Sequence, residues 1–172
     1  MKSENKNFRI TQQNETTHIE IEVNKINGIA KMTLISLILI SMLMPFLVLI
    51  YAFNEHQEIR IGYFVSVLIF IACFAFFLRL FLWNHYGKEV FVIENNALLF
   101  YNDYLYFKDN LKQWKFNQIT LGYINPSAEE FNSMETIFGN NELCQFAVLI
   151  DNSKIVTSNL LIEKSILKNG VI

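Results

Sequence analysis

The segment THIEIEV, residues 17–23, sets the architecture of the chain because of what precedes and follows it. Its apolar residues Ile19, Ile21 and Val23 alternate with polar ones, and this alternation predicts a half-buried β-strand. A single strand can neither pair its backbone groups nor bury its apolar face alone. We therefore expect the strand, which we place within residues 15–27 after a polar N-terminal tail at 1–14, to pair with strands from elsewhere in the chain.

Two apolar runs that follow are long enough to cross a bilayer. The run at 32–53 contains no charged residue, and a helix over that length spans about 33 Å, against about 30 Å for a hydrocarbon core. The second run covers residues 61–78 and continues to Trp83. We predict transmembrane helices over 30–53 and 59–83. The short turn between them, at 54–58, requires an antiparallel helical hairpin.

Charged residues that flank the two runs predict the orientation of this hairpin. Lys25 and Lys31 precede or open the first run and Lys88 follows the second, whereas only Arg60 lies near the turn. The positive-inside rule therefore places both termini in the cytoplasm. Long basic and aromatic side chains at the end of the second run are typical of the membrane interface, and we predict three such anchors: Arg79, Trp83 and Tyr86.

After the second run, short apolar segments alternate with turn residues, which predicts an antiparallel sheet within an α+β fold. The predicted strands cover residues 90–93, 97–107, 113–116, 119–123, 145–150 and 154–157, with turns at 94–96, 108–111 and 151–153. A closing helix is predicted over 159–170, with Ser158 or Asn159 as its N-cap. Residues 131–141 match no pattern well enough to predict an element.

The two predicted spans return the chain to the side of the membrane that it left. Packed helices lie about 8–10 Å apart, so the strand at 15–27 and the strand at 90–93 are delivered close together and antiparallel. We expect the first strand to form one edge of the sheet that residues 87–172 build.

The order of these elements resembles a known family. The leading strand, the two-span hairpin, GKEVFVI at 87–93, WKF at 114–116 before the I-x-L of residues 119–121, and a terminal helix with Glu163 are similar to small bacterial membrane proteins with a pleckstrin-homology-like (PH-like) domain. The resemblance covers residues 8–170. It implies an α+β membrane protein in which a transmembrane hairpin is inserted after the first strand of a PH-like antiparallel sheet, closed by a C-terminal helix, in the bacterial inner membrane. It implies no catalytic residue.

The titratable residues do not form a pattern that points to catalysis. The three histidines, His18, His56 and His85, have no metal-ligand spacing, and Cys73 and Cys144 make no CxxC pair. Phosphate-binding glycine loops and nucleophile motifs are absent from the sequence. Residues 84–172 hold seven Lys against ten acidic residues, which opposes nucleic acid binding. We predict a non-enzymatic protein without cofactor or metal.

Two surface features are candidates for binding. Aromatic residues on both faces of the long strand predict a surface for a protein partner, formed by Tyr101, Tyr104 and Tyr106. Lysines around the following turn suggest contacts to lipid headgroups through Lys108, Lys112 and Lys115. The predicted role is a module held in the lipid bilayer for protein–protein contact or for assembly of a membrane complex. An immunity protein that blocks a toxin, a lipid-headgroup sensor and homo-oligomer formation stay open.

Overall fold

The computed structural model describes residues 2–5, 7–13, 15–54, 61–125, 131–133, 143–163 and 167. Within these residues it contains two long helices and two antiparallel sheets, an α+β arrangement. The elements in chain order are β1 (Lys2–Asn5), β2 (Phe8–Gln13), β3 (Thr16–Glu22), α1 (Gly28–Asn54), α2 (Ile61–Tyr86), β4 (Lys88–Glu94), β5 (Ala97–Asp103), β6 (Lys108–Lys115), β7 (Ile119–Ile124), β8 (Phe131–Ser133), β9 (Leu143–Ile150) and β10 (Lys154–Glu163).

The two helices confirm the prediction of two long apolar segments. Each is long and apolar enough to cross a membrane, and together they identify the chain as a candidate two-span membrane protein. The side chain of Asn27 caps α1, since its Oδ1 accepts a hydrogen bond of 2.9 Å from the amide of Ala30. The predicted turn at 54–58 begins at Asn54, the last residue of α1, and the rest of it lies outside the described residues.

A six-stranded antiparallel sheet, in the order β1-β2-β3-β4-β5-β6, combines strands that precede α1 in the chain with strands that follow α2. β3 pairs with β4, so that Glu22 lies opposite Lys88 and Ile19 opposite Phe91. This confirms the expected pairing across the two helices. The expectation of an edge position is wrong, because the other side of β3 pairs with β2. The segment at 1–14, predicted as a polar tail, instead supplies β1 and β2.

A four-stranded antiparallel sheet, in the order β10-β9-β7-β8, completes the β-rich unit. The helix predicted over 159–170 is wrong over residues 159–163, because β10 continues to Glu163 and Leu161 lies opposite Gln145 of β9. Pairing with a buried neighbouring strand therefore outweighs the local helical pattern. Leu167 is helical and fully buried; the remainder of the predicted helix lies outside the described residues.

The turns of the first sheet differ in part from the predicted ones. Asn95 and Asn96 form the predicted tight turn with φ angles of 46° and 60°. The strand predicted over 97–107 ends at Asp103, and residues 104–107 form the next turn. The turn predicted over 108–111 is therefore wrong, since β6 begins at Lys108.

The core lies between the two sheets and is centred on aromatic rings. Phe91 of β4 contacts Phe146 of β9 with ring centroids 5.2 Å apart, and Phe100 of β5 with centroids 4.9 Å apart. Phe8 of β2 also reaches Phe146, at 5.9 Å. Residues 1–24 and 86–172 thus form one compact unit, and residues 25–85 form a second.

Candidate functional site

A row of polar side chains crosses the inner face of the six-stranded sheet. Glu89 of β4 lies opposite Asn102 of β5, and Asn102 lies opposite Asp109 of β6. Glu89 shares its face with Phe91, because alternate residues of a strand point the same way. Glu89 is fully buried, and Asn102 and Asp109 each have a buried side-chain oxygen. The row therefore places a carboxylate within a mostly apolar core.

Glu89 binds the other sheet through β10. Its Oε1 accepts a hydrogen bond of 2.7 Å from Nδ2 of Asn159, and both carboxylate oxygens lie 3.0–3.1 Å from the Asn159 amide. The amide of Leu160 donates to Oε2 at 3.4 Å. Burial raises the pKa of Glu89, and the hydrogen bonds from Asn159 and Leu160 oppose this rise. The carboxylate thus holds β10 to β4.

A bulge in β10 makes these amides available. The pairing of β10 with β9 shifts register between Thr157 and Leu161. The buried Ser158 fills the interruption, because its Oγ accepts a hydrogen bond of 3.0 Å from the Phe146 amide and donates one of 2.8 Å to the Leu160 carbonyl. The bulge therefore turns the amides of Asn159 and Leu160 away from β9 and towards Glu89.

A cleft of about 250 Å³ lies between β6 and β10, which are the terminal strands of their respective sheets among the described residues. Trp114, Lys112 and Lys154 line it, and Nζ of Lys154 lies 5.1 Å from the centre of the Trp114 ring. Asn159, which binds Glu89, lines the same cleft. The cleft therefore combines two basic side chains and an aromatic ring with two sheet edges.

The three tyrosines predicted as a partner surface have different environments. Tyr104 is buried and stacks on Phe107 with ring centroids 4.5 Å apart, so it belongs to the interior of the loop and not to a surface. Tyr101 is half-buried, with Nζ of Lys108 lying 4.4 Å from its ring centre. Tyr106 is exposed. Only one of the three rings is thus exposed.

The three lysines predicted as headgroup contacts are spread along β6, not grouped around a turn. Lys112 lies opposite Phe100 and lines the cleft, whereas Lys115 lies opposite Ala97 on the other face of the strand. A bulge separates both from Lys108, which covers Tyr101. The structure therefore does not bring the three lysines into one binding site.

The three predicted interface anchors all lie in the last third of α2. Arg79 and Trp83 are in the last two turns of α2, and Tyr86 is its final residue. Their contact with a membrane interface stays a prediction, which depends on α2 crossing the bilayer.

Among the described residues, no group of three or more His, Cys, Asp or Glu side chains could hold a metal ion. His18 lies on β3 and His85 in the last turn of α2, while position 56 is outside the described residues. Cys144 is buried, with its Sγ 3.4 Å from the Ile162 carbonyl. Cys73 lies in α2.

Sequence reasoning did not identify Glu89 and Asn159 as partners. The available signal was that Glu89 alternates with Phe91 and Ile93 in the KEVFVIE strand, so that its charge lies on the same face as these apolar residues. Their partnership could not be read from the sequence, since the two residues are 70 positions apart.

Comparisons with protein families, with curated proteins and with solved structures found no match to this chain. Its function is therefore inferred from its own residues. The two features available for this purpose are the buried Glu89–Asn159 contact, which joins the sheets, and the basic cleft between β6 and β10.

Proposed function

We propose that this protein is a non-catalytic membrane protein of the bacterial inner membrane that presents a cytoplasmic PH-like module to a protein partner. Two helices suited to crossing a membrane lie between β3 and β4 of one sheet, which supports a β-module held at the bilayer. Two antiparallel sheets that enclose an aromatic core also fit a PH-like module. Both termini then lie in the cytoplasm, as the flanking lysines predict.

The observation that carries the binding role is the cleft between β6 and β10. Terminal strands of a sheet offer backbone groups that can pair with an added strand. Lys112 and Lys154 give the cleft a positive charge, and Trp114 offers an aromatic surface. We infer that the occupant is an extended segment of a partner protein that carries at least one acidic side chain.

A catalytic role has less support in the described residues. The oxygens of Glu89, the buried carboxylate, already accept hydrogen bonds from Asn159 and Leu160. This arrangement suits a structural contact between sheets, because a general base needs an oxygen that can reach a substrate proton.

The test is capture of the partner with the full-length protein in particles of native membrane. The double variant Lys112→Glu/Lys154→Glu reverses two charges in the cleft, while Lys115→Glu reverses one charge on the opposite face of β6. We expect one protein to be recovered with the wild type and with Lys115→Glu and to be lost with the double variant. Equal recovery with all three, or no recovered protein, would overturn the proposal.

The identity of the captured protein decides between the remaining roles. Recovery of a toxin would replace the assembly role with that of an immunity protein. A headgroup sensor is favoured only if the charge-reversed cleft loses binding to vesicles that contain anionic lipid. Cysteine labelling tests the orientation: position 56 should react from outside the cell, and position 110 only after permeabilisation.

A further inference from the structure

The loop between β5 and β6 lies at the end of the six-stranded sheet where β3 leads to α1 and α2 leads to β4. β4 begins at Lys88, directly after Tyr86 and Gly87. β5 runs antiparallel to β4 and ends at Asp103, which lies opposite Lys88. The loop at 104–107 therefore follows at the level of the first residue of β4. Chain connectivity alone keeps this loop within a few residues of the end of α2.

The loop exposes apolar side chains at this end. Leu105 is 62% exposed, Tyr106 is 73% exposed and Phe107 is 41% exposed. The ring of Tyr86, which is 43% exposed, lies against that of Tyr106 with centroids 6.4 Å apart. Residues 104–107 contain no charged side chain. They form, with Tyr86, an apolar surface next to the last residue of a candidate membrane span.

The loop is held in the conformation that presents these side chains. Leu105 has a φ of 77°, a left-handed conformation that is uncommon and strained for a leucine. Its amide donates a hydrogen bond of 2.8 Å to Oδ1 of Asp103, and the amide of Tyr104 donates to the Phe107 carbonyl at 3.0 Å. Tyr104 packs inside the loop against Phe107. The neighbouring side chains of Leu105 and Tyr106 consequently project from a braced turn.

We propose that the β5–β6 loop, residues 104–107, is a membrane anchor that inserts Leu105 and Tyr106 into the headgroup region of the bilayer crossed by α1 and α2. An amphipathic ring next to an aliphatic side chain suits the boundary between headgroups and acyl chains. This inference concerns a different surface from the partner cleft, and it rests on α1 and α2 crossing the membrane.

The proposed anchor fixes the module at a further point besides the two chain crossings. β3 and β4 tether the unit where the chain enters α1 and leaves α2, and a third contact at the loop would limit rotation about these tethers. The orientation of the cleft between β6 and β10 relative to the bilayer would then be restricted, because β6 follows the loop directly.

The experiment measures the depth of nitroxide labels on the full-length protein in bilayer discs of phosphatidylethanolamine and phosphatidylglycerol. Single cysteines replace Tyr106, Leu111 or Asn152 in a Cys73→Ala background; Cys144 is retained because it is fully buried. Asn152 lies in the turn between β9 and β10, where the Asp151 amide donates to the Gln118 carbonyl. The Phe116 amide donates to the Asn96 carbonyl, so this region adjoins the end of β5 opposite to the loop. Leu111 is about 10 Å further along the chain from the start of β6.

We expect the label at 106 to be less accessible to a water-soluble nickel chelate, and more accessible to oxygen, than the label at 152. The label at 152 should be fully accessible to the chelate, and the label at 111 should be intermediate. The proposal is overturned if the label at 106 is as accessible to the chelate as that at 152. It is also overturned if protection at 106 disappears in discs with one protein each, since a second copy would then be the cover.

A label at position 68 separates this outcome from failure of the membrane assignment. Leu68 lies in α2 and is exposed in the isolated chain. Oxygen accessibility at 68 together with an aqueous label at 106 would overturn only the loop anchor. An aqueous label at both positions would overturn the spanning helices, the proposed membrane role and the anchor together.

Discussion

Replacement of Glu89 tests whether one buried carboxylate holds the two sheets together. Glu89→Ala removes the acceptor for two backbone amides, those of Asn159 and Leu160, and for the Asn159 side chain. A buried donor without a partner costs about 1–3 kcal/mol. Because Asn159 is exposed and Leu160 is half-buried, water can reach part of this site, and we expect a loss of roughly 1–3 kcal/mol in the free energy of unfolding. Glu89→Gln retains one oxygen acceptor, and we expect a smaller loss.

The effect of Glu89 on the free energy of unfolding should depend on pH in a defined direction. Burial raises the pKa of Glu89 above its ordinary value of 4.5, so the folded protein holds the proton to a higher pH than the unfolded chain does. The contribution of Glu89 to stability is therefore fully present below that value and decreases as pH rises towards the folded pKa. Glu89→Gln removes this decrease, and the wild type should lose stability relative to this variant as pH rises above 4.5.

The assay is urea unfolding of the full-length protein in micelles, followed by the fluorescence of Trp114 in a Trp83→Phe background. Hydrogen exchange of the amides at 159 and 160 reports the contact directly. Glu94→Ala is the matched control, because Glu94 lies on the same strand and is exposed; a change within about 0.5 kcal/mol is expected there. If Glu89→Ala resembles this control and exchange at 159 and 160 is unchanged, Glu89 does not hold the sheets together.

Four further changes test the strand unit, by the same unfolding assay or, for the deletion, by proteolysis. Phe8→Ala should lower the free energy of unfolding by about 3–5 kcal/mol, since Phe8 is a buried part of the aromatic core. An unchanged unfolding midpoint would indicate that residues 1–14 are a tail and not part of the sheet. Deletion of 16–22 separates β2 from β4 and should leave the strand unit open to proteases, whereas a resistant unit would contradict the shared sheet. Tyr104→Ala should destabilise the unit strongly and Tyr106→Ala by less than about 0.5 kcal/mol, because only Tyr104 is buried; equal effects would argue against the loop conformation.

Features that depend on composition or on local alternation could be predicted from the sequence. The two helices follow from uninterrupted apolar runs, and β3 follows from the alternation of Ile19 and Ile21 with polar residues. The pairing of β3 with β4 was predictable as well, because a two-helix hairpin brings its ends together. These properties need no knowledge of distant neighbours.

Features that depend on a distant partner could not be predicted. β2 has only Phe8 and Ile10 as apolar residues, and its strand conformation is stabilised by pairing with β3. Residues 159–163 have helical spacing, but β9 offers them a ladder and Glu89 accepts the amides that the bulge releases. In both segments a tertiary contact outweighs local propensity. The site escaped prediction for the same reason, since Asn159 meets Glu89 only through this bulge.

The two candidate membrane helices lie between β3 and β4 in the chain, so that their insertion and the folding of the sheet are linked. β1, β2 and β3 are synthesised first, but their sheet is completed only when β4 pairs with β3 after α2. Loop-closure entropy rises only slowly with loop length, so the intervening helices add little to the cost of this pairing. Until then the edge of β3 is open, and its buried residues Ile19 and Ile21 face water. A lesion that prevents insertion of α2 should therefore leave the strand unit incomplete, although it alters no residue of either sheet.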